Sequence, residues 1–213
     1  MKIMKPGIEF ITPVRGDIIL QRIEQCGRVC YKSEDRITPD SAAAFCRSLI
    51  KRGHETVLEH CSFTVKFIVD RGVSHEIVRH RLASYCQEST RYCNYSQDKF
   101  DGEITVIEPC FLTEGTDAWM AWAKACMVSE ECYFKMLGIG LTPQEARSVL
   151  PNSLKTEVVM TANIREWRHF LKLRCSPAAH PQMREVATQL LKACQKKIPV
   201  LFDDLFPEGD GHV

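Results

Sequence analysis

Residues 63–69 place an apolar side chain at every second position: Phe63, Val65, Phe67 and Val69. This period of two predicts a β-strand with a buried face. The segments on either side carry helix signals instead, so the chain mixes strands and helices. Its 213 residues show no internal repeat, low-complexity tract or linker. We therefore expect residues 1–213 to form a single α+β domain, with a mixed or antiparallel sheet packed against helices.

The remaining elements are predicted from periodicity and capping signals. Strands are expected over residues 103–107 and 154–162, and a short strand running into a helix over 14–26. Helices are expected over residues 40–52, 74–85 (capped by Ser74), 116–137, 142–151, from Asn163, and 181–202 with a break at Pro199. On a helix reaching residue 85, Arg79 and Arg81 would point to nearly opposite sides, because successive residues turn by about 100°. Residues 207–213 are expected to form a loose tail.

Composition excludes several classes of protein. The 28 basic and 27 acidic residues nearly cancel, which argues against a broad nucleic-acid-binding face. The chain starts without the apolar segment of a signal peptide, and its eleven cysteines are odd in number and often lie in apolar runs. Reduced thiols in a cytoplasmic protein are therefore expected. No apolar run reaches the length of a membrane span, so no membrane association is expected.

Residues 79–92 form the segment richest in side chains that can bind a ligand, with three arginines, a histidine and a glutamate. Guanidinium groups present paired donors that match phosphate oxygens, so this segment predicts a site for a phosphorylated, planar ligand. The sequence has neither a GxGxxG turn nor a GxxxxGK[ST] loop. Side chains must then hold any pyrophosphate. Arg79, His80 and Arg81 are candidates, with Arg165 aided by the helix N-terminus at Asn163.

Metal binding and nucleophilic catalysis are not supported by the spacing of the residues. No histidine or cysteine pair has the spacing of a zinc site, so no metal is expected. Ser89 lacks the glycines of a nucleophile elbow and is expected to donate its hydroxyl group to a ligand. Taken alone, Arg165 and Arg168 could belong to a solvated helix face. Arg174 could either extend along the surface or enter a pocket.

Four segments, taken together, resemble the flavin-dependent thymidylate synthases. The most specific is Arg79-His80-Arg81, then seven residues, then Ser89-Thr90-Arg91-Tyr92. The other three, in order along the chain, are Gly53 to His60, Glu145-Ala146-Arg147 up to Pro151, and Asn163-x-Arg165 continuing to Arg174. Their order and spacing agree with the family from about Arg28 to the final helix.

The resemblance implies methylation of dUMP to dTMP, with 5,10-methylenetetrahydrofolate as carbon donor, FAD as redox carrier and NADPH as reductant. It also implies a homotetramer whose flavin sites are built from several subunits, and no protein nucleophile on the pyrimidine. The residues that it assigns to FAD are His54, Thr56, Glu59, Arg79, His80, Arg81, Asn163 and Arg165, with Arg79 between the two ligands. The residues that it assigns to dUMP are Glu88, Ser89, Arg91, Arg147 and Arg174, of which Arg174 and Ser89 are the catalytic candidates.

Several positions depart from the family pattern. Cys86 stands where asparagine is frequent, Cys30 where serine is familiar, and His169 where asparagine contacts flavin. The segment from His180 to Arg184 fits only loosely, so the folate contacts stay unassigned. Two other functional hypotheses remain open. One is a non-catalytic RNA- or nucleotide-binding module, which would need exposed aromatic platforms. The other is a flavoprotein oxidase or reductase without methyl transfer.

Overall fold

A computed structural model describes residues 1–206 of the chain. The α-helices of this range are α1 (Gly16–Val29), α2 (Ser41–Lys51), α3 (Arg71–Ile77), α4 (Asp117–Gly138), α5 (Pro143–Ala146), α6 (Ile164–Arg174), α7 (Pro181–Lys197) and α8 (Pro199–Phe202). The strands are β1 (Lys2–Met4), β2 (Gly7–Phe10), β3 (Ser62–Asp70), β4 (Ala83–Gln87), β5 (Thr105–Ile107) and β6 (Lys155–Asn163). The α+β class is confirmed, whereas the expected loose tail lies outside the described residues.

The strands form two sheets. β1 pairs in parallel with β5, with Ile3 opposite Val106, and the larger sheet has the order β2-β3-β6-β4. Side chains of β3 and β6 alternate between buried and partly buried positions, as the period of two predicts. Phe63 and Phe67 of β3 are buried. These two aromatic rings therefore form no exposed platform for stacking bases.

The chain divides into two compact units, each assembled from separate segments. Unit 1 consists of Met1–Gly7, Phe67–Arg79 and Tyr85–Val159. Unit 2 consists of Ile8–Lys66, His80–Ser84 and, among the described residues, 160–206. The core of unit 1 includes Tyr133 of α4 together with Val106 and Leu154. In unit 2 the ring of Phe63 stacks on Trp167 of α6, their centroids 4.9 Å apart.

The predicted helix over residues 74–85 is wrong at both ends. Asp70 is the N-cap of α3 and accepts a hydrogen bond from Val73 N at 2.8 Å, so the helix begins before Ser74. It ends at Ile77, and Ala83–Gln87 form β4, which pairs with β6 in the larger sheet. Pairing with a distant strand has overridden the local helix signal. Arg79 and Arg81 lie beyond the end of the helix, so the helical geometry that predicted their opposite directions does not apply to them.

Most other boundaries lie close to their predicted positions. The predicted strand before α1 is absent from residues 14–15, and the strand at 103–107 is shortened to β5. The helix predicted at 40–52 is α2, followed by Gly53 in left-handed backbone (φ +70). A capping box with proline in the first turn starts α5, as predicted, but this helix is shorter than the predicted 142–151, because it ends at Ala146 and residues 147–149 form a 3₁₀ helix. Pro199 separates α7 from α8. Among residues 1–206, no helix combines the length and apolar character needed to cross a membrane.

Candidate functional site

Strand β6 turns into helix α6 at Asn163, which is the N-cap of the helix. The Asn163 side chain accepts a hydrogen bond from Glu166 N at 2.8 Å, which satisfies one of the unpaired donors of the first turn. The carbonyl oxygen of Cys61 accepts a hydrogen bond from Ile164 N at 2.9 Å. These bonds fix the start of α6, so the side chains of its first two turns hold defined positions in unit 2.

A cavity of about 710 Å³ lies beside these turns. It is lined mainly by charged and polar side chains: Glu55, Glu59, Leu82, Asn163, Arg165, Glu166, Arg168, His169 and Lys172. The Arg165 guanidinium donates to Glu59 Oε1 at 2.6 Å and lies 3.9 Å from Glu55 Oε2. The structure thus brings together three predicted flavin residues, Glu59, Asn163 and Arg165. We call this space the unit 2 cavity.

Two further predicted flavin residues, His54 and Thr56, lie beside Glu59 in sequence. Thr56 belongs to a short 3₁₀ helix, Glu55–His60, and His54 is its N-cap. Both residues are exposed, and neither lines the unit 2 cavity. Their proposed contact with a ligand therefore depends on surfaces outside this cavity.

Arg168 is a buried cation of the unit 2 cavity, with only 1% of the residue exposed, so the interpretation as a solvated helix face is wrong for this residue. Its guanidinium binds both carboxylate oxygens of Asp204, at 2.7 and 2.6 Å, and donates to the carbonyl oxygen of Leu201. Its Nε is buried and makes no hydrogen bond within the described structure, although Glu55 Oε1 lies 3.8 Å away. A buried donor without a hydrogen bond at the wall of a cavity is a natural contact for an anionic or polar ligand.

His80 lies at the centre of a hydrogen-bond network in unit 2. Its Nδ1 is 3.1 Å from Glu166 Oε1, and Arg174 Nε donates to its Nε2 at 3.1 Å. Burial lowers the pKa of His80, and the charge of Arg174 acts in the same direction while the Glu166 hydrogen bond opposes it. The imidazole is therefore neutral near pH 7. One predicted flavin residue and one predicted dUMP residue thus share a network with Glu166.

The two arginines beside His80 have a different environment. Arg79 and Arg81 are exposed, whereas His80 is buried. Neither guanidinium forms a salt bridge or side-chain hydrogen bond with another described residue. They are available to bind a ligand or another chain.

A second cavity, of about 520 Å³, lies in unit 1 and is lined by two arginines. The residues that line it are Arg71, Thr90, Gln144, Arg147, Ser148, Leu150, Pro151 and Leu154. Arg147 follows α5 directly and donates to Thr90 Oγ1 at 3.3 Å. Arg71 is the first residue of α3, and its backbone N–H donates to the carbonyl oxygen of Asn152 at 3.0 Å. We call this space the unit 1 cavity.

Glu88 is held by protein partners in unit 1. Its two carboxylate oxygens accept from Tyr95 Oη at 3.3 Å and from Lys155 Nζ at 3.0 Å. Lys155 also donates to Glu157 Oε1 at 2.8 Å. Burial acts to lower the pKa of Lys155, but the hydrogen bonds that it donates to the two carboxylates outweigh this effect, so the pKa is raised. Lys155 therefore stays charged and fixes the position of Glu88.

Ser89 begins the turn that carries Arg91. The Ser89 carbonyl oxygen accepts from the N–H groups of Tyr92 and Cys93 at 3.1 and 2.9 Å, and its hydroxyl accepts from Arg91 N at 3.3 Å. Arg91 is exposed, with its guanidinium carbon 5.4 Å from the centre of the Tyr92 ring. The turn therefore fixes the backbone of the motif and leaves the Arg91 side chain at the surface.

His80, Glu166 and His169 offer nitrogen and oxygen atoms within 4.8 Å of one another, a set that could hold a metal ion. Both ring nitrogens of His80 already have partners, and one of these partners is the Arg174 guanidinium. A cation at this place would be repelled by that guanidinium. The geometry therefore suits a hydrogen-bond network better than a metal, and the expected absence of a metal stays a prediction.

The positions that depart from the family pattern, Cys30, Cys86 and His169, are all exposed. His169 lines the unit 2 cavity, and its ring lies 5.6 Å from that of His80. The structure thus places His169 beside the predicted flavin residues, and it brings neither cysteine to the unit 2 cavity.

Arg71 and Glu166 were not predicted from the sequence. In the sequence, Arg71 only marks the end of β3. Its place in a cavity depends on Thr90 and Arg147, which are distant in sequence. Glu166 occupies the third helical position after Asn163, where a glutamate usually completes a capping box. Its carboxylate instead accepts a hydrogen bond from His80. No local signal could have identified that partner, because it lies 86 positions away.

Comparisons with known proteins identify the family to which the chain is similar. A family model described as thymidylate synthase complementing protein matches residues 19–200. The flavin-dependent thymidylate synthase of Geobacter sulfurreducens is 32% identical over 187 residues, covering 84% of this chain and 79% of that protein. The flavin-dependent thymidylate synthase of Mycobacterium tuberculosis is 33% identical, with 93% and 84% covered.

A solved structure is similar over nearly the whole chain. It is a UMP/dUMP methylase, PolB, from Streptomyces cacaoi bound with 5-Br dUMP. The TM-score is 0.77 at 25% sequence identity, with 95% of this chain and 96% of that chain covered. Similarity in sequence and in fold therefore extends through both units and both cavities.

Proposed function

The chain belongs to the thymidylate synthase complementing protein family, and from this premise we propose that it is an FAD-dependent thymidylate synthase. The reaction converts dUMP, 5,10-methylenetetrahydrofolate, NADPH and a proton into dTMP, tetrahydrofolate and NADP⁺. One observation carries the proposal: arginines of motifs far apart in sequence line two cavities, Arg165 in unit 2 and Arg147 in unit 1.

The unit 2 cavity fits FAD in size and in chemistry. Its volume of about 710 Å³ is typical of cofactor pockets. The buried Nε of Arg168, together with Arg165 at the start of α6, offers donors for a pyrophosphate. Glu59 offers acceptors for ribityl or ribose hydroxyl groups. The proposed flavin residues are His54, Thr56, Glu59, Arg79, His80, Arg81, Asn163 and Arg165. When bound, FAD would supply the hydride transfer of the reaction.

The unit 1 cavity fits the phosphate of dUMP. Arg147 and Arg71 place two guanidinium groups at one cavity, and a dianionic phosphate is the ligand that such a pair favours. The proposed dUMP residues are Glu88, Ser89, Arg91, Arg147 and Arg174, to which the structure adds Arg71. Glu88 would act from a position fixed by Lys155.

Arg174 has the central catalytic role in this proposal. Its guanidinium would stabilise the negative charge that develops on the uracil ring as C5 becomes nucleophilic, and Ser89 would donate a hydrogen bond to dUMP. Such electrostatic activation needs no thiolate attacking C6. The buried cysteines agree with this, since burial raises the pKa of Cys46 to about 12 and that of Cys175 to about 11. Neither thiol would ionise near pH 7.

Assembly as a homotetramer of single-domain subunits is part of the same proposal. Met120, Met127 and Val128 of α4 are apolar yet about half exposed, and Leu82 and Tyr92 are about three-quarters exposed. Apolar side chains at such a density suit burial between subunits. Light scattering should give about four times the chain mass of 24.3 kDa. A cytoplasmic location is proposed because all eleven cysteines are free thiols.

The decisive experiment incubates the purified protein with dUMP, 5,10-methylenetetrahydrofolate and NADPH, with and without added FAD. Formation of dTMP, followed by chromatography, should depend on FAD. A folded protein that binds flavin but forms no dTMP would be a plain flavoprotein, and the proposal would fail.

Two variants separate these cases further. Arg147→Gln and Arg174→Gln should lose dUMP binding or turnover while flavin binding, read from its absorbance, is retained. Arg36→Gln, at an exposed position outside both cavities, is the matched control and should behave like the parent.

A further inference from the structure

Glu166 is a buried carboxylate whose main partner is His80. Only 6% of Glu166 and 5% of His80 are exposed, and the Oε1–Nδ1 distance between them is 3.1 Å. The opposite edge of the imidazole faces Arg174, whose Nε lies 3.1 Å from His80 Nε2. The three side chains form a line in unit 2, from the carboxylate through the imidazole to the guanidinium.

The donors and acceptors of this line allow one tautomer. A guanidinium can only donate, so His80 Nε2 must carry the lone pair that accepts from Arg174. The proton of the neutral ring then lies on Nδ1 and is donated to Glu166. Each member of the line fixes the orientation of the next, as in sites where a carboxylate orients a histidine that holds a functional group.

Loss of the Glu166 carboxylate would affect Arg174 indirectly, through His80. A buried Nδ1–H without an acceptor is unfavourable, and the ring can avoid it by moving the proton to Nε2. That nitrogen would then point a donor at the Nε–H of Arg174, and this N–H would lose His80 as its acceptor. The direction in which Arg174 points would no longer be fixed from this side.

We propose that Glu166 is a positioning residue that acts through His80 to set the direction of the Arg174 guanidinium. The inference rests on the proposed function, in which Arg174 contacts the uracil of dUMP. The role assigned to Glu166 acts through His80 and requires no contact between Glu166 and the uracil.

The test compares Glu166→Leu with Glu166→Gln. Leucine removes the acceptor, whereas glutamine keeps a carbonyl oxygen that can accept from Nδ1–H. In Glu166→Leu we expect kcat for dTMP formation to fall about 10- to 100-fold, with a smaller change in KM for dUMP, because a misdirected catalytic group chiefly affects the transition state. Glu166→Gln should recover most of the loss.

A spectroscopic readout tests the inference independently of turnover. Long-range ¹H–¹⁵N spectra of histidine-labelled holoenzyme show which ring nitrogen carries the proton, and His80→Gln assigns the signal. The parent and Glu166→Gln should have the proton on Nδ1, and Glu166→Leu should shift it toward Nε2. An unchanged tautomer in folded Glu166→Leu would overturn the inference. If the parent forms no dTMP, the proposed function fails, and the spectra still decide the positioning role.

Glu24→Gln is the control for the loss of a buried carboxylate. Glu24 of α1 is also buried in unit 2, where it accepts from Arg28 at 2.7 Å and from Ser41 at 2.8 Å. This variant should lower stability but leave the His80 tautomer and the ratio of kcat to KM unchanged. If it moved either readout as Glu166→Leu does, the effect would be a general consequence of destabilisation and the inference would be wrong.

Discussion

Asp204→Asn should destabilise the protein more than Arg168→Met, although both substitutions break the same ion pair. The pair is asymmetric, because the Arg168 side chain is 2% exposed and that of Asp204 is 44% exposed. Removing the carboxylate leaves a buried guanidinium that cannot lose its proton. Removing the guanidinium leaves a carboxylate that water can reach.

The structure gives the size of each effect. Leaving one member of a buried ion pair uncompensated costs about 3–5 kcal/mol. That range is reduced to about 2 kcal/mol for Asp204→Asn, because Asp204 is partly solvated and asparagine keeps one acceptor oxygen. Arg168→Met loses the bond to the buried carbonyl oxygen of Leu201, which costs about 1 kcal/mol, while methionine keeps much of the apolar packing.

Urea denaturation at a fixed protomer concentration would measure both free energies of unfolding. Burial acts to raise the pKa of Asp204, but the hydrogen bonds and charge of Arg168 outweigh it and hold the pKa below the usual 3.8. A carboxyl group with a lowered pKa in the folded state contributes stability above its unfolded pKa, and this contribution is lost as the pH falls. The difference between the parent and Asp204→Asn should therefore shrink below about pH 4.

The exposed pair Arg15–Asp17 provides the control. Arg15 Nη2 lies 3.0 Å from Asp17 Oδ2, but both side chains are largely exposed. Asp17→Asn should therefore leave the urea midpoint unchanged. The reasoning is refuted if Arg168→Met proves equal to or worse than Asp204→Asn. That result would mean that the guanidinium stabilises through its packing rather than through its paired charge.

Substitutions at four other positions test the remaining parts of the structure. Arg147→Met and Arg71→Met should each weaken dUMP binding about 10- to 100-fold, because each removes a charged donor worth about 1.5–3 kcal/mol; unchanged affinity in calorimetry would remove that residue from the site. Asn163→Ala should lower the free energy of unfolding by about 1 kcal/mol, because the N-cap of α6 is lost. Asn163→Asp keeps a capping oxygen and should not lower it, so equal urea midpoints for the two variants would contradict the prediction. Lys155 has a raised pKa, so the stability that it contributes is lost as the pH rises through its folded pKa, above the unfolded value near 10.5. Lys155→Met should therefore lose less stability than the parent between neutral and strongly alkaline pH, and parallel thermal-melting profiles would count against the ion network.

The sequence predicts those elements whose signals are local. The alternating pattern of β3 and the Asn163 cap of α6 involve residues a few positions apart, and both are confirmed. The cavities are different, because each depends on side chains from separate segments. Arg71 and Arg147 line the same cavity only because the chain folds, so no pattern in either segment could predict the pair.

Two local rules fail, and both failures concern His80. The predicted helix over residues 74–85 would have held His80 within regular structure, but the helix stops at Ile77, and the non-helical residues before β4 carry the imidazole into a buried position. Glu166 occupies the position of a capping residue, yet its carboxylate accepts from that same imidazole. Departures from local preference are expected at functional sites, where a specific contact outweighs the preference of each segment. That two segments 86 positions apart each break a local rule at one buried, neutral histidine is a physical reason to place His80 within the machinery of the site. It points to Glu166, rather than either exposed arginine, as the residue that holds His80 there.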